Sequence, residues 1–112
     1  MRMEGPALLE QAGVEVSVNT DDPITDSRLF LRTAAIAARY GLSREGALRA
    51  VTLVPARQLG LEDRVGSLEP GKAADFAIID APDVDHWLYH LRANACVATV
   101  IGGQVTSGSL PA

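Results

Sequence analysis

The sequence has one cysteine, one lysine and few aromatic residues, and each shortage argues against a class of protein. Cys96 cannot form a disulfide within the chain, so a reducing cytoplasm is the expected location. Aromatic residues make up 4% of the chain, too few for a platform on which nucleic-acid bases stack. Lys72 is the only lysine and the net charge is −4, so neither nucleic acid nor an anionic membrane surface is expected as a partner.

Long apolar runs and repeats are missing as well. No run is long enough to cross a membrane as a helix, and the opening MRMEGPALLEQAG carries acidic residues where a signal peptide would not. The 112 residues are 47% hydrophobic and 21% charged, which is typical of one soluble globular domain.

The most informative stretch is the run VEVSVNTDDPITD. Its apolar residues recur at every second position and predict a strand at Val14–Val18. Pro23 cannot donate to a strand ladder, so the strand is predicted to end at Asp21 and Asp22. Carboxylates at the end of a buried strand lie where α/β folds collect catalytic groups. A plain turn is the alternative, because Asp-Asp-Pro favours turns and Asp26 is a good helix N-cap.

The first half of the chain is predicted to be mainly helical. Apolar residues at three- and four-residue spacing, bounded by glycines, indicate four helices: Pro6–Ala12, Ser27–Tyr40, Arg44–Val51 and Leu53–Leu59. Ser43 and Thr52 are predicted to cap the third and fourth helices. In the third helix, Ala47, Leu48 and Val51 are expected to face the interior.

From residue 65 onward, turns and short strands dominate. Alternating or β-branched runs predict three strands: Phe76–Ile79, Val97–Ile101 and Gln104–Thr106. Gly102 and Gly103 form a two-residue hairpin signal between the last two. The stretch Ala81–Asn94 is ambiguous. The change in character predicts two parts, residues 1–64 and residues 65–112.

His86 and His90 are the only histidines. Spaced four residues apart, they would share one helix face and could in principle chelate a metal. The apolar and aromatic residues between them, WLY, favour a packing segment instead.

Taken in order, these motifs resemble the C-terminal end of the amidohydrolase superfamily of metal-dependent hydrolases. The resemblance runs from Leu8 to Val105 and includes the strand ending in Thr-Asp, the run SREGALRAVTLVPARQLGL and the run VGSLEPGKAADF. It implies an α/β fold: residues 1–64 would be the last strand and helices of a (β/α)8 TIM barrel. Residues 65–112 would be C-terminal strands of a small β-sandwich. A full barrel needs roughly 250 residues, so the chain is expected to be part of that architecture.

Two branches of the superfamily are similar to different parts of the chain. The runs IDAP, HWLYH and VATVIGGQV are similar to the end of imidazolonepropionases, which open the ring of imidazolone propionate in histidine breakdown. The run NTDDP is instead similar to adenosine-deaminase-like aminohydrolases, which usually lack a VGSLEPGK-type tail. The resemblance therefore implies a hydrolase that cleaves C–N bonds of cyclic amides or amidines and leaves the substrate open between these branches.

The resemblance also implies the site residues. Asp21 would bind a divalent metal, zinc or iron, and take a proton from the attacking water, while Asp22 would bind the small-molecule substrate. The family's His-x-His strand is absent, so the chain alone is expected to bind no metal and to be inactive. Its expected partner is the missing N-terminal barrel part or a second copy. A non-catalytic, free-standing module that forms oligomers is the alternative.

Overall fold

The computed structural model describes residues 3–22, 26–92 and 94–110. Its elements in chain order are α1 (Gly5–Gln11), a 3-10 turn (Ser27–Leu29), α2 (Phe30–Arg39), α3 (Arg44–Ala50), α4 (Leu53–Gln58), β1 (Phe76–Ile79), α5 (Val84–His90), β2 (Cys96–Ile101) and β3 (Gln104–Gly108). The four predicted helices and three predicted strands of this list are confirmed to within a few residues. In the described part, no helix is long and apolar enough to span a membrane.

The caps of α3 and α4 differ. The Ser43 hydroxyl accepts a hydrogen bond from the Gly46 N–H at 2.9 Å, which confirms the predicted N-cap. Thr52 occupies the predicted N-cap position of α4, but its hydroxyl donates to the Leu48 carbonyl at 2.7 Å and makes no capping bond. A threonine that follows a helix can bond back to the preceding turn in this way.

The core is built mainly from small residues. The buried members of its central cluster are four alanines, one leucine and one tryptophan: Ala34, Ala37, Leu42, Ala47, Trp87 and Ala95. Alanines allow α2, α3 and α5 to approach closely, and Trp87, only 7% exposed, is the largest buried side chain of this cluster. The cluster joins residues from both predicted parts, and the division into 1–64 and 65–112 stays a prediction.

The ambiguous stretch Ala81–Asn94 contains helix α5. The Asp83 carboxylate caps it by accepting the His86 N–H at 2.9 Å, and Leu91 ends it in the left-handed conformation with φ +50°. The helix connects β1 to β2 and packs against α2, so it links the sheet to the helices.

The sheet is antiparallel, with strand order β1-β2-β3. Phe76 of β1 pairs with Val100 of β2, which in turn pairs with Val105 of β3. Gly102 and Gly103 form the predicted hairpin with φ +59° and +80°, values that favour glycine.

The predicted strand Val14–Val18 is wrong as a strand. The segment is extended but belongs to no described sheet, and Val14 is 48% exposed. A strand needs a neighbouring strand to satisfy its backbone groups, and the three strands described pair only with one another. The Val18 N–H donates to the Ala50 carbonyl of α3 at 3.3 Å instead. Pro23, predicted to end the strand, lies outside the described residues.

Gly66 allows the VGSLEPGK loop to pack closely on α4. Its φ is +101°, and an added Cβ would lie 2.7 Å from the Ala56 Cβ and 3.3 Å from the Leu53 Cα. Gly71, in the same loop, has φ +91° but open space around it. A substitution at Gly71 therefore tests the backbone conformation alone, whereas a substitution at Gly66 tests close packing as well.

We expect Gly66→Ala to lower the free energy of unfolding by about 1–3 kcal/mol more than Gly71→Ala, because only the first adds overpacking to backbone strain. Urea denaturation of both variants measures this difference. Equal losses would show that the loop does not depend on close contact with α4.

Candidate functional site

Asp21 and Asp22 lie exposed at the end of the extended segment. Asp21 has φ +52°, the left-handed region that aspartate tolerates better than most residues. Within the described residues, no hydrogen bond or ion pair engages the Asp21 carboxylate. This carboxylate is accessible to a ligand from solvent, as a metal-binding or proton-accepting group must be.

Polar contacts attach the segment before Asp21 to α3 and α4. Glu15 accepts hydrogen bonds from Arg49 of α3 and Arg57 of α4. The Ser17 hydroxyl donates to the Gln58 side-chain oxygen at 2.7 Å. The predicted carboxylate site is therefore supported from the helices, and no described strand lies beside it.

Asp26, shortly after the candidate carboxylates, is paired with Arg28. The Arg28 guanidinium donates to both carboxylate oxygens, with Nη2 to Oδ2 at 2.5 Å, and the Arg28 N–H donates to Oδ1 at 2.9 Å. These bonds, the side-chain bond first, lower the pKa of Asp26 to about 2. Asp26 thus begins the 3-10 turn as a capping carboxylate, in line with its predicted role as an N-cap.

The described residues contain no group of three or more His, Cys, Asp and Glu side chains that could hold a metal ion. The Asp21 carboxylate could offer a single ligand group, whereas a catalytic zinc takes about three protein ligands. Asp21 thus fits one position of a metal site, and the described part of the chain does not complete the donor set.

The two histidines lie together on α5, as their spacing predicts. The rings of His86 and His90 stack with centroids 6.2 Å apart, and His86 Nδ1 lies 2.8 Å from the Asp83 carboxylate. Both side chains are exposed, while Trp87 between them is buried in the core. The structure brings His86 to Asp83, and the two histidines belong to no group of three or more possible ligands that could hold a metal ion among the described residues.

A large apolar groove lies between the helices and the sheet, a feature that the sequence did not indicate. Its volume is about 810 Å³, and its lining includes Leu48, Pro55, Phe76 and Trp87. Leu48, predicted to face the interior, lines this groove and stays 41% exposed, because no packed core covers it. Asp21 is not among the lining residues, so the groove and the candidate carboxylates are separate places.

Comparison with known proteins identifies the family. Residues 2–106 match the model of the amidohydrolase family. The chain belongs to that family. Its members are hydrolases that generally bind a divalent metal.

Curated relatives match most of this chain. An imidazolonepropionase of Aromatoleum aromaticum is 36% identical over 105 residues, which cover 89% of the chain and 25% of the relative. A 5-methylthioadenosine/S-adenosylhomocysteine deaminase of Teredinibacter turnerae is 33% identical over 111 residues, covering 90% and 25%. The chain therefore spans about a quarter of the length of these relatives.

The fold agrees with the family. An amidohydrolase structure from Thermotoga maritima superimposes with a TM-score of 0.79 at 34% identity, covering 97% of this chain and 27% of that one. The chain thus has an amidohydrolase-like α/β fold.

The Asp26–Arg28 pair makes a testable electrostatic prediction. Because the pKa of Asp26 is lowered from 3.8 to about 2 on folding, the pair stabilises the fold above pH 3.8, and this contribution is lost as the pH falls toward 2. We expect Arg28→Met to return the pKa of Asp26 toward 3.8. Carbon-detected NMR titration measures it, and a value near 3.8 in the unmodified chain would contradict the pairing.

The positive φ of Asp21 leads to a second prediction. We expect Asp21→Gly to raise the free energy of unfolding by about 0.5–1 kcal/mol, because glycine adopts positive φ without steric cost. Asp22 has no positive φ, so Asp22→Gly is the matched control and should destabilise the fold. Denaturant unfolding reports both, and destabilisation by Asp21→Gly would refute the strained conformation.

Proposed function

We propose that this chain is the C-terminal portion of a metal-dependent hydrolase that cleaves C–N bonds of cyclic amides or amidines and is imidazolonepropionase-like. The observation that carries this is the 36% identity to imidazolonepropionase over 89% of the chain. The exposed Asp21 carboxylate, at the position that the family resemblance predicts, supports it further.

A deaminase is the second candidate. The relative from Teredinibacter turnerae, named as a 5-methylthioadenosine/S-adenosylhomocysteine deaminase, is 33% identical over a slightly longer stretch. The run NTDDP agrees with this branch. Both candidate enzymes would catalyse hydrolytic attack at a ring carbon that is bonded to nitrogen, and they differ in substrate.

Asp21 and Asp22 carry the proposed chemistry of this chain. Asp21 would be one ligand of the divalent metal, zinc or iron, and would accept a proton. Asp22 would bind the substrate. A bound divalent metal such as zinc supplies a water whose pKa is near 7. The other metal ligands would come from outside the described residues.

The unpaired surfaces support a partner for the chain. The extended segment before Asp21 lacks a strand neighbour, and β1 and β3 are edge strands of the described sheet. The apolar groove beside β1 is open and lined by large side chains. We propose that the N-terminal barrel part covers these surfaces and that residues 1–64 complete a TIM barrel, with residues 65–112 in a β-sandwich.

Self-association is the alternative, since exposed strand edges and apolar faces also favour oligomers. In this third candidate the chain is a non-catalytic, free-standing module. Measuring the mass of the isolated chain in solution distinguishes a monomer from such an assembly.

Two chimeras test the proposal. This chain replaces the matching quarter of the Aromatoleum imidazolonepropionase in one and of the Teredinibacter deaminase in the other. We expect hydrolysis of imidazolone propionate by the first chimera, and loss of at least about a hundredfold in kcat on Asp21→Asn, as for a lost proton acceptor. Asp63→Asn, at another exposed carboxylate, is the control and should leave the rate unchanged.

The outcomes separate the candidates. Activity only in the deaminase chimera would favour the second substrate class. A folded, metal-loaded chimera that stays active after Asp21→Asn would refute the assigned role of Asp21. For the isolated chain, elemental analysis is expected to find much less than one metal ion per chain, and one zinc per chain would contradict the incomplete donor set.

A further inference from the structure

Glu15 joins the extended segment to two helices at once. Its Oε2 atom accepts hydrogen bonds from Arg49 Nη2 at 2.7 Å and from Arg57 Nη1 at 2.5 Å. Arg49 lies in the last turn of α3 and Arg57 in the last turn of α4. We call these three side chains the Glu15 clamp.

Two further contacts follow the clamp along the segment. Side chains two apart in an extended chain point to the same side, and Ser17, like Glu15, contacts α4 through its bond to Gln58. The Val18 N–H then donates to the Ala50 carbonyl at the end of α3. Contacts made within residues 15–18 therefore hold the segment against α3 and α4, where a strand would be held by its ladder.

The distance from these contacts to the candidate carboxylate is short. Asp21 lies three residues beyond Val18, a reach of at most about 10 Å for an extended chain. A shift of the segment along α3 and α4 would therefore move Asp21 as well. Positioning of a catalytic carboxylate to a fraction of an ångström is what such a site requires.

We infer that Glu15 is a positioning residue for Asp21: the Glu15 clamp sets where the extended segment lies on α3 and α4, and so where the Asp21 carboxylate is presented. The importance of this position for catalysis rests on the proposed function of Asp21. The inference that the clamp holds the segment does not depend on the proposed function.

Glu62 provides a matched control. Its carboxylate accepts a hydrogen bond from Nε of the same Arg57 at 2.8 Å and is as exposed as that of Glu15, but it lies beyond α4 and makes no hydrogen bond to the segment among the described residues. Half-exposed ion pairs contribute little to global stability. Glu15→Gln and Glu62→Gln should therefore melt alike, and a local measurement has to separate them.

The test is amide hydrogen exchange, followed by NMR in the isolated chain under conditions where it is fully folded. We expect Glu15→Gln to speed exchange of the Val18 N–H by about tenfold, because local opening of the segment becomes easier, and to shift the resonances of residues 19–22. Glu62→Gln should change neither. Equal exchange of Val18 in the two variants would overturn the inference.

Measurements of kcat and KM in the active chimera distinguish failure of the Glu15 clamp from failure of the proposed function. If both hold, Glu15→Gln lowers kcat with little change in KM, while Glu62→Gln has no effect. If Asp21→Asn leaves activity intact but Glu15→Gln still speeds Val18 exchange, the proposed function fails and the clamp stands. If Asp21→Asn removes activity and Glu15→Gln changes neither exchange nor kcat, the clamp fails and the proposed function stands.

Discussion

The packing of α2 against α5 is the contact on which the rest of this structure depends. Ala34 and Ala37 of α2 share a core cluster with Trp87 of α5, and their small side chains let the helices approach closely. Because α5 connects β1 to β2, this contact holds the sheet against the helices. The same arrangement leaves an apolar groove beside β1, where no described residue fills the space.

An alanine-rich core also explains why the carboxylate site is held by polar contacts. The core buries few large side chains, and the segment before Asp21 reaches it mainly through Val18. The segment then depends for its position on α3 and α4 on Glu15, Ser17 and the backbone hydrogen bond from Val18 to Ala50. Half-exposed polar contacts of this kind add little to the stability of the fold, and their main effect is on the position of the segment.

Local signals allowed much of the fold to be predicted. Ser43 at the start of α3, the Gly102-Gly103 hairpin and the compact strand Phe76–Ile79 each depend on neighbouring residues, and each is confirmed. Thr52 stands at the predicted N-cap position without the capping bond, because its hydroxyl donates to the Leu48 carbonyl. The prediction for Leu48 was wrong because its side chain faces an open groove. The Val14–Val18 strand was wrong because alternation cannot supply a pairing partner.

The sequence by itself determined the family, the Ser43 cap and the Gly102-Gly103 turn, and it singled out the pair Asp21 and Asp22, since these depend on residue identity and short spacing. Tertiary structure alone decided that the preceding segment lies on α3 and α4 through Glu15, a contact that joins residues 34 and 42 positions apart. Tertiary packing also created the apolar groove. The position of the segment and the groove both arise from long-range packing, in which the available partners, and not local preference, decide where a segment lies.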